Sequence, residues 1–105
     1  MYQVIQLLIM ECRESVEMII TMLGYQGFPT PTEDNQISRV EYLVSRFNKK
    51  FSNVTVGFSD HSLPNSSLLN SLSAMALGAG ATSFEKHLTI SQVMEYEDYE
   101  SAINP

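Results

Sequence analysis

Three stretches in this chain read as strands, at 16–23, 54–58 and 81–87, and they are separated by two stretches whose apolar residues recur at helical spacing. That alternation constrains the fold more than any other feature. Strand, helix, strand, helix, strand is the order that yields parallel strands joined by right-handed crossovers. The first run holds Val16, Met18, Ile19, Ile20, Met22 and Leu23, a nearly continuous apolar stretch that suits a strand covered on both faces. It stops at the breaker-rich loop Gly24-Tyr25-Gln26-Gly27-Phe28-Pro29-Thr30-Pro31. Ile37, Val40, Val44 and Phe47 then mark one face of a helix, with Thr32 or Asp34 as its expected cap. A second helix is expected over 66–79, with Leu68, Leu69, Leu72, Met75 and Ala76 on its buried side and Gly78 and Gly80 ending it. Residues 1–13 read as a helix tail or a frayed terminus.

A chain of 105 residues is one small domain or part of a larger one. Three strands do not close a barrel, since a (β/α)8 barrel needs about 250 residues. An open three-stranded sheet leaves both edges unpaired. The chain is therefore expected to belong to a larger fold or to assemble with other chains. Twelve acidic residues against six basic ones, a net charge of -6, argue against a nucleic-acid partner. Cys12 is the only cysteine, so an internal disulfide is excluded and a reducing cytoplasm is implied. No apolar run approaches the length of a membrane span, and the first residues lack the basic region of a signal peptide.

The chemistry gathers at the strand ends, where parallel α/β folds carry their sites. The chain has two histidines, His61 and His87, and each follows a strand in a matched setting, Ser59-Asp60-His61 and Glu85-Lys86-His87. Side chains alternate along a strand. Ser59 and His61 therefore share one face, and Glu85 and His87 share another. If Phe58 and Phe84 pack outward on the helices, these four residues point inward and Lys86 points away. Neighbouring strands lie about 4.8 Å apart, so two imidazoles at one height can share a divalent ion. A two-histidine site with a carboxylate and open positions suits a mid-series metal such as Mn²⁺. Each residue also has a structural reading. Ser59 can cap a loop, Glu85 can pair with a lysine or steady a histidine, and the acidic residues Glu95, Glu97, Asp98 and Glu100 can form a solvated loop. Met10, Met18, Met22 and Met75 are expected as core filler.

Four segments, in order, resemble the sialic acid synthase (N-acetylneuraminate synthase) family. They are the loop 24–35, Gly57-Phe58-Ser59-Asp60-His61, the stretch from Ala76-Leu77-Gly78-Ala79-Gly80-Ala81 into Phe84-Glu85-Lys86-His87-Leu88-Thr89, and the closing 97–105. The resemblance implies an α/β fold that is a partial TIM (β/α)8 barrel, about three consecutive β/α units with parallel strands, as a single fragment over 1–105. It also implies a transferase that condenses phosphoenolpyruvate with N-acetylmannosamine or a related N-acyl amino sugar, giving a nine-carbon sialic acid and phosphate. By motif position His61 and His87 would be ligands of Mn²⁺ or Mg²⁺. Ser59 would contact the phosphate of phosphoenolpyruvate. Gln26 stands where an asparagine that contacts phosphate is common, and Phe28 where a tyrosine is common. Asp98 matches an aspartate near the amino sugar or the metal-bound water, and Glu85 or Asp98 would serve the chemistry. Lysines on earlier strands normally meet the phosphate, so the chain alone is expected to be inactive and to need the missing N-terminal part of a barrel or a homo-oligomer. Two further readings stay open: a non-catalytic remnant or oligomerising half-barrel, and a divalent-metal-binding module.

Overall fold

The computed structural model describes residues 2–12, 15–25, 27 and 29–104. Its elements run α1 (Tyr2–Cys12), β1 (Ile19–Leu23), α2 (Ser38–Phe47), β2 (Val54–Asp60), α3 (Leu69–Gly78) and β3 (Ser83–Lys86). Short 3-10 turns occupy Thr32–Asn35, Gln92–Met94 and Tyr99–Ser101. The strands form one parallel sheet in the order β1-β2-β3, with α2 and α3 as the crossovers. Among the described residues no helix is long and apolar enough to cross a membrane.

Alternation divides the sheet into two faces. On one face Val54, Val56 and Phe58 of β2 are each at most 2% exposed. Val40 and Phe47 of α2 and Leu72 and Ala76 of α3 complete that core, and Ile9 of α1 joins it. Burying a side chain the size of Phe47 contributes about 2–3 kcal/mol. Ile37 and Val44 flank the same stripe, so the expected face of α2 is present. Gly80 ends the turn after α3 at a φ of 102°, a conformation that a side chain rarely adopts, and its neighbour Val44 leaves little room for one.

Several local expectations are corrected. β1 begins at Ile19 rather than at residue 16, because parallel pairing starts where Ile19 N–H donates to Asn53 O at 2.9 Å. β2 extends past 58 to Asp60, and β3 covers 83–86 of the expected 81–87. Neither Thr32 nor Asp34 caps α2. Gln36 takes a left-handed conformation that separates the 3-10 turn from the helix, and Asn35 Nδ2 donates to Pro31 O and Thr32 O instead. On α3 only Leu72 and Ala76 reach the sheet, whereas Leu68 and Met75 are exposed; the side chain of Leu69 lies outside the described residues. Met10, Met18 and Met22 are exposed as well, so the methionines do not fill the core. Phe58 packs on the helices as expected, but Phe84 is 46% exposed, since α3 lies over β2 and no helix follows β3 to cover it among the described residues.

The helix-side face ends in a buried polar lock at the top of the sheet. Asp60 and Lys86 are register partners, and Lys86 Nζ sits 3.3 Å from Asp60 Oδ2. The other carboxylate oxygen accepts from the backbone N–H of Ser62 at 2.9 Å and from the Ser62 hydroxyl. Lys86 Nζ also donates to Ser62 O at 2.8 Å. Burial holds the Lys86 ammonium below the usual lysine range, and the Asp60 carboxylate opposes that shift. The lock fixes Ser62, and with it the exit of the chain from β2. Removing one partner of such a pair strands the other charge. Lys86→Met is expected to lower the unfolding free energy by about 3 kcal/mol. The double variant Asp60→Asn, Lys86→Met should recover part of that loss, as read from urea unfolding midpoints.

Candidate functional site

Ser59 is the register partner of Glu85, so both side chains project from the face opposite the core. His61 and His87 follow each strand with the same parity. Their rings lie 5.0 Å apart, centroid to centroid, inclined at 40°. His61, Glu85 and His87 each offer a ligand atom, and these three atoms lie within 4.8 Å of one another. His61 Nε2 stands 3.9 Å from Glu85 Oε1. His61 is buried, and Glu85 is half exposed, so the cluster has a closed side and an open one. Ser59 Oγ donates to Glu85 Oε2 at 3.1 Å, which orients the carboxylate from below.

The approach of β1 to this cluster depends on a missing side chain. A Cβ on Gly24 would lie 2.6 Å from Ser59 Cβ and 2.9 Å from Ser59 O. With no Cβ there, the chain passes close enough for Tyr25 O to meet His61 Nδ1 at 2.8 Å. A carbonyl only accepts, so Nδ1–H is the donor and the ring's lone pair falls on Nε2, the atom beside Glu85. The backbone on the far side of the loop is tied too, as Thr30 N–H donates to His61 O at 2.9 Å.

His87 is held in the same manner from the C-terminal side. Ile103 N–H donates to His87 O at 2.9 Å, and Ser101 Oγ lies 2.9 Å from His87 Nδ1. Asp98 Oδ2 is 4.0 Å from that same nitrogen. Asp98 has a φ of 59° and starts the turn Tyr99–Ser101, which carries Ser101 back beneath the ring. The loops after all three strands also border an open pocket of about 270 Å³, lined by residues that include Pro29, Leu63, Pro64, Gln92 and Tyr99.

Five of the residues singled out from the sequence are thus brought together: Ser59, His61, Glu85, His87 and Asp98. Gln26 and Phe28 lie outside the described residues. Two groups escaped the sequence reading. The carbonyl of Tyr25 carries no side-chain signal, and Ser101 sits in a segment whose charge marks it as a solvated loop. Two imidazole nitrogens and a carboxylate oxygen form a donor set that fits a mid-series divalent ion.

Comparison with known proteins finds relatives of this sequence and fold. A sequence model of the NeuB family matches residues 2–105. An uncharacterised protein of Methanocaldococcus jannaschii is 34% identical over 94 residues, covering 90% of this chain and 24% of that protein. The crystal structure of the spore coat polysaccharide biosynthesis protein SpsE from Bacillus subtilis superposes with a TM-score of 0.70 at 29% identity, over 89% of this chain and 24% of that one. N-acetylneuraminic acid (sialic acid) synthetase from Leptospira borgpetersenii shares the fold, with a TM-score of 0.67 at 24% identity, over 82% of this chain and 27% of that one. The chain spans about a quarter of the length of each of these proteins.

The cluster makes a direct prediction about metal affinity. Titration of the 105-residue chain with Mn²⁺, followed by electron paramagnetic resonance, is expected to give one site. His61→Ala and His87→Ala should each weaken it by about 100-fold or more, since each removes a ligand atom. Unchanged binding in both variants would remove these histidines from the site.

Proposed function

The chain belongs to the NeuB family, and on that premise we propose that it carries the metal-binding corner of an active site that joins phosphoenolpyruvate to an N-acyl amino sugar. The sugar is N-acetylmannosamine or a relative, and the products are a nine-carbon sialic acid and phosphate. The observation that carries this reading is the convergence of His61, Glu85 and His87 at the ends of neighbouring parallel strands.

His61 and His87 would hold Mn²⁺ or Mg²⁺, with Glu85 beside them. A divalent ion held there supplies Lewis acidity to the aldehyde oxygen of the sugar. The chain's own groups account for the rest. Attack by the enol carbon builds positive charge at C2 of phosphoenolpyruvate. The Glu85 and Asp98 carboxylates are assigned to steady that charge or to take a proton from the water that traps it. Ser59 is assigned to the phosphate. Its single hydroxyl proton now goes to Glu85, so phosphate contact requires the hydroxyl to rotate away from that carboxylate. Gln26 and Phe28 are assigned to substrate by motif position alone.

The phosphate's charge needs cations, and the lysine next to His87 in sequence does not supply one. Lys86 is engaged by Asp60 and Ser62 on the opposite face. The remaining basic groups would come from other strands of the barrel, whether in the same polypeptide or another. The single cysteine and the absence of basic character suit a reducing cytoplasm without a nucleic-acid partner. A second reading is favoured by the exposed apolar residues Ile20, Met22 and Phe84 on the edge strands: a self-associating, non-catalytic half-barrel.

The 105-residue chain alone, given phosphoenolpyruvate, N-acetylmannosamine and Mn²⁺, is expected to release no phosphate. Combined with a polypeptide supplying the other barrel strands of a NeuB relative, it should release phosphate, and His87→Ala should abolish that release. Turnover by the chain alone would overturn the dependence on other strands. A folded, assembled protein with no turnover would overturn the condensation reading, and a stable oligomer on gel filtration that binds metal without turnover favours the second.

A further inference from the structure

Ser101 is fully buried, although it lies in the acidic C-terminal segment. Its Oγ stands between two polar atoms, Asp98 O at 3.3 Å and His87 Nδ1 at 2.9 Å. A hydroxyl has one proton to give and lone pairs to accept with. Asp98 O is a carbonyl oxygen and can only accept, and it is satisfied when the hydroxyl proton goes there. The contact with His87 then runs the other way, with Nδ1–H donating to Oγ. The Asp98 carboxylate, 4.0 Å from the same nitrogen, favours a proton at that position as well.

The segment that carries Ser101 is itself held in place. Gln92 Nε2 donates to Ala102 O at 2.7 Å, and Thr89 N–H donates to Ile103 O at 3.0 Å. Ile103 N–H in turn donates to His87 O, so the ring and the hydroxyl are fixed on one short framework. His61 receives the same treatment from a main-chain carbonyl, Tyr25 O. At His87 the acceptor is a side chain, which can be replaced.

We infer that Ser101 is a positioning residue that fixes His87 as the Nδ1–H tautomer and so makes Nε2 the nitrogen offered to a divalent cation. The second half of this statement rests on the metal reading above; the tautomer does not. With two histidines in the chain, long-range ¹H–¹⁵N spectra of the metal-free, labelled protein at alkaline pH resolve both rings. The expected result is an unprotonated Nε2 on both His61 and His87. In Ser101→Ala the His87 nitrogens should shift toward a mixture of tautomers while His61 stays unchanged, and the Mn²⁺ dissociation constant should rise by about 10-fold. Ser101→Thr keeps the hydroxyl and should restore both readings toward the parent values.

A proton on Nε2 of His87 in the parent chain would overturn the inference. So would a Ser101→Ala chain with the parent's tautomer or the parent's Mn²⁺ affinity. A parent chain with the expected tautomer but no Mn²⁺ binding would overturn the metal reading and leave the tautomer role of Ser101 standing.

Discussion

The parallel register that pairs Ser59 with Glu85 sets the geometry of the whole strand-end cluster. Because side chains alternate, that one pairing decides which face every neighbour takes. It sends Phe58 and Asp60 to the helices, and Ser59, His61, Glu85 and His87 to the other side. A slip of one residue between β2 and β3 would set Glu85 against the core and bring Lys86 toward His61. The register is enforced from below by apolar packing, with Val54, Val56 and Phe58 buried under α2 and α3. It is enforced from above by the Asp60–Lys86 pair, which forms only in this alignment.

The two histidines occupy equivalent frames. Each has its carbonyl oxygen bonded by an N–H from a returning loop, Thr30 for His61 and Ile103 for His87. Each has Nδ1 met by an oxygen, Tyr25 O for one and Ser101 Oγ for the other. An imidazole held at both its backbone and its ring loses little further freedom when it takes a ligand, which is the physical meaning of preorganisation at a metal site. The frames differ in origin. One is pure main chain, made accessible by Gly24, while the other is a buried serine on a short turn.

The sheet and the cluster were legible because they follow from periodicities of two and 3.6, which apolar residues record directly. Ser59, His61, Glu85 and His87 could be put on one face by counting. The start of β1 was not legible, since Val16 and Met18 are as apolar as the strand itself; what delays pairing is where Asn53 presents its carbonyl. The cap of α2 was misread because Gln36 turns left-handed, and glutamine carries no strong signal for that conformation. The exposed methionines and Phe84 look like core residues in any sequence, and only the position of the sheet edges decides that they are not covered here. Ser101 was hidden by its acidic neighbours, and the carbonyl of Tyr25 has no sequence signature at all.

The sheet ends on both sides in a parallel strand with no further partner among the described residues. When the parallel pairing is continued, the outer edge of β1 matches the outer edge of a strand like β3, and not another β1 running the same way. Contacts of that kind are head-to-tail, so they lack the two-fold axis that would stop them at a pair. They end only when accumulated twist brings the last edge round to the first; otherwise each addition exposes a fresh edge like the one it covered. A three-stranded segment that extends by further parallel pairing therefore has two destinations, a closed ring of strands or an open-ended stack. The tilt between successive strands, rather than the strength of any one contact, selects between them.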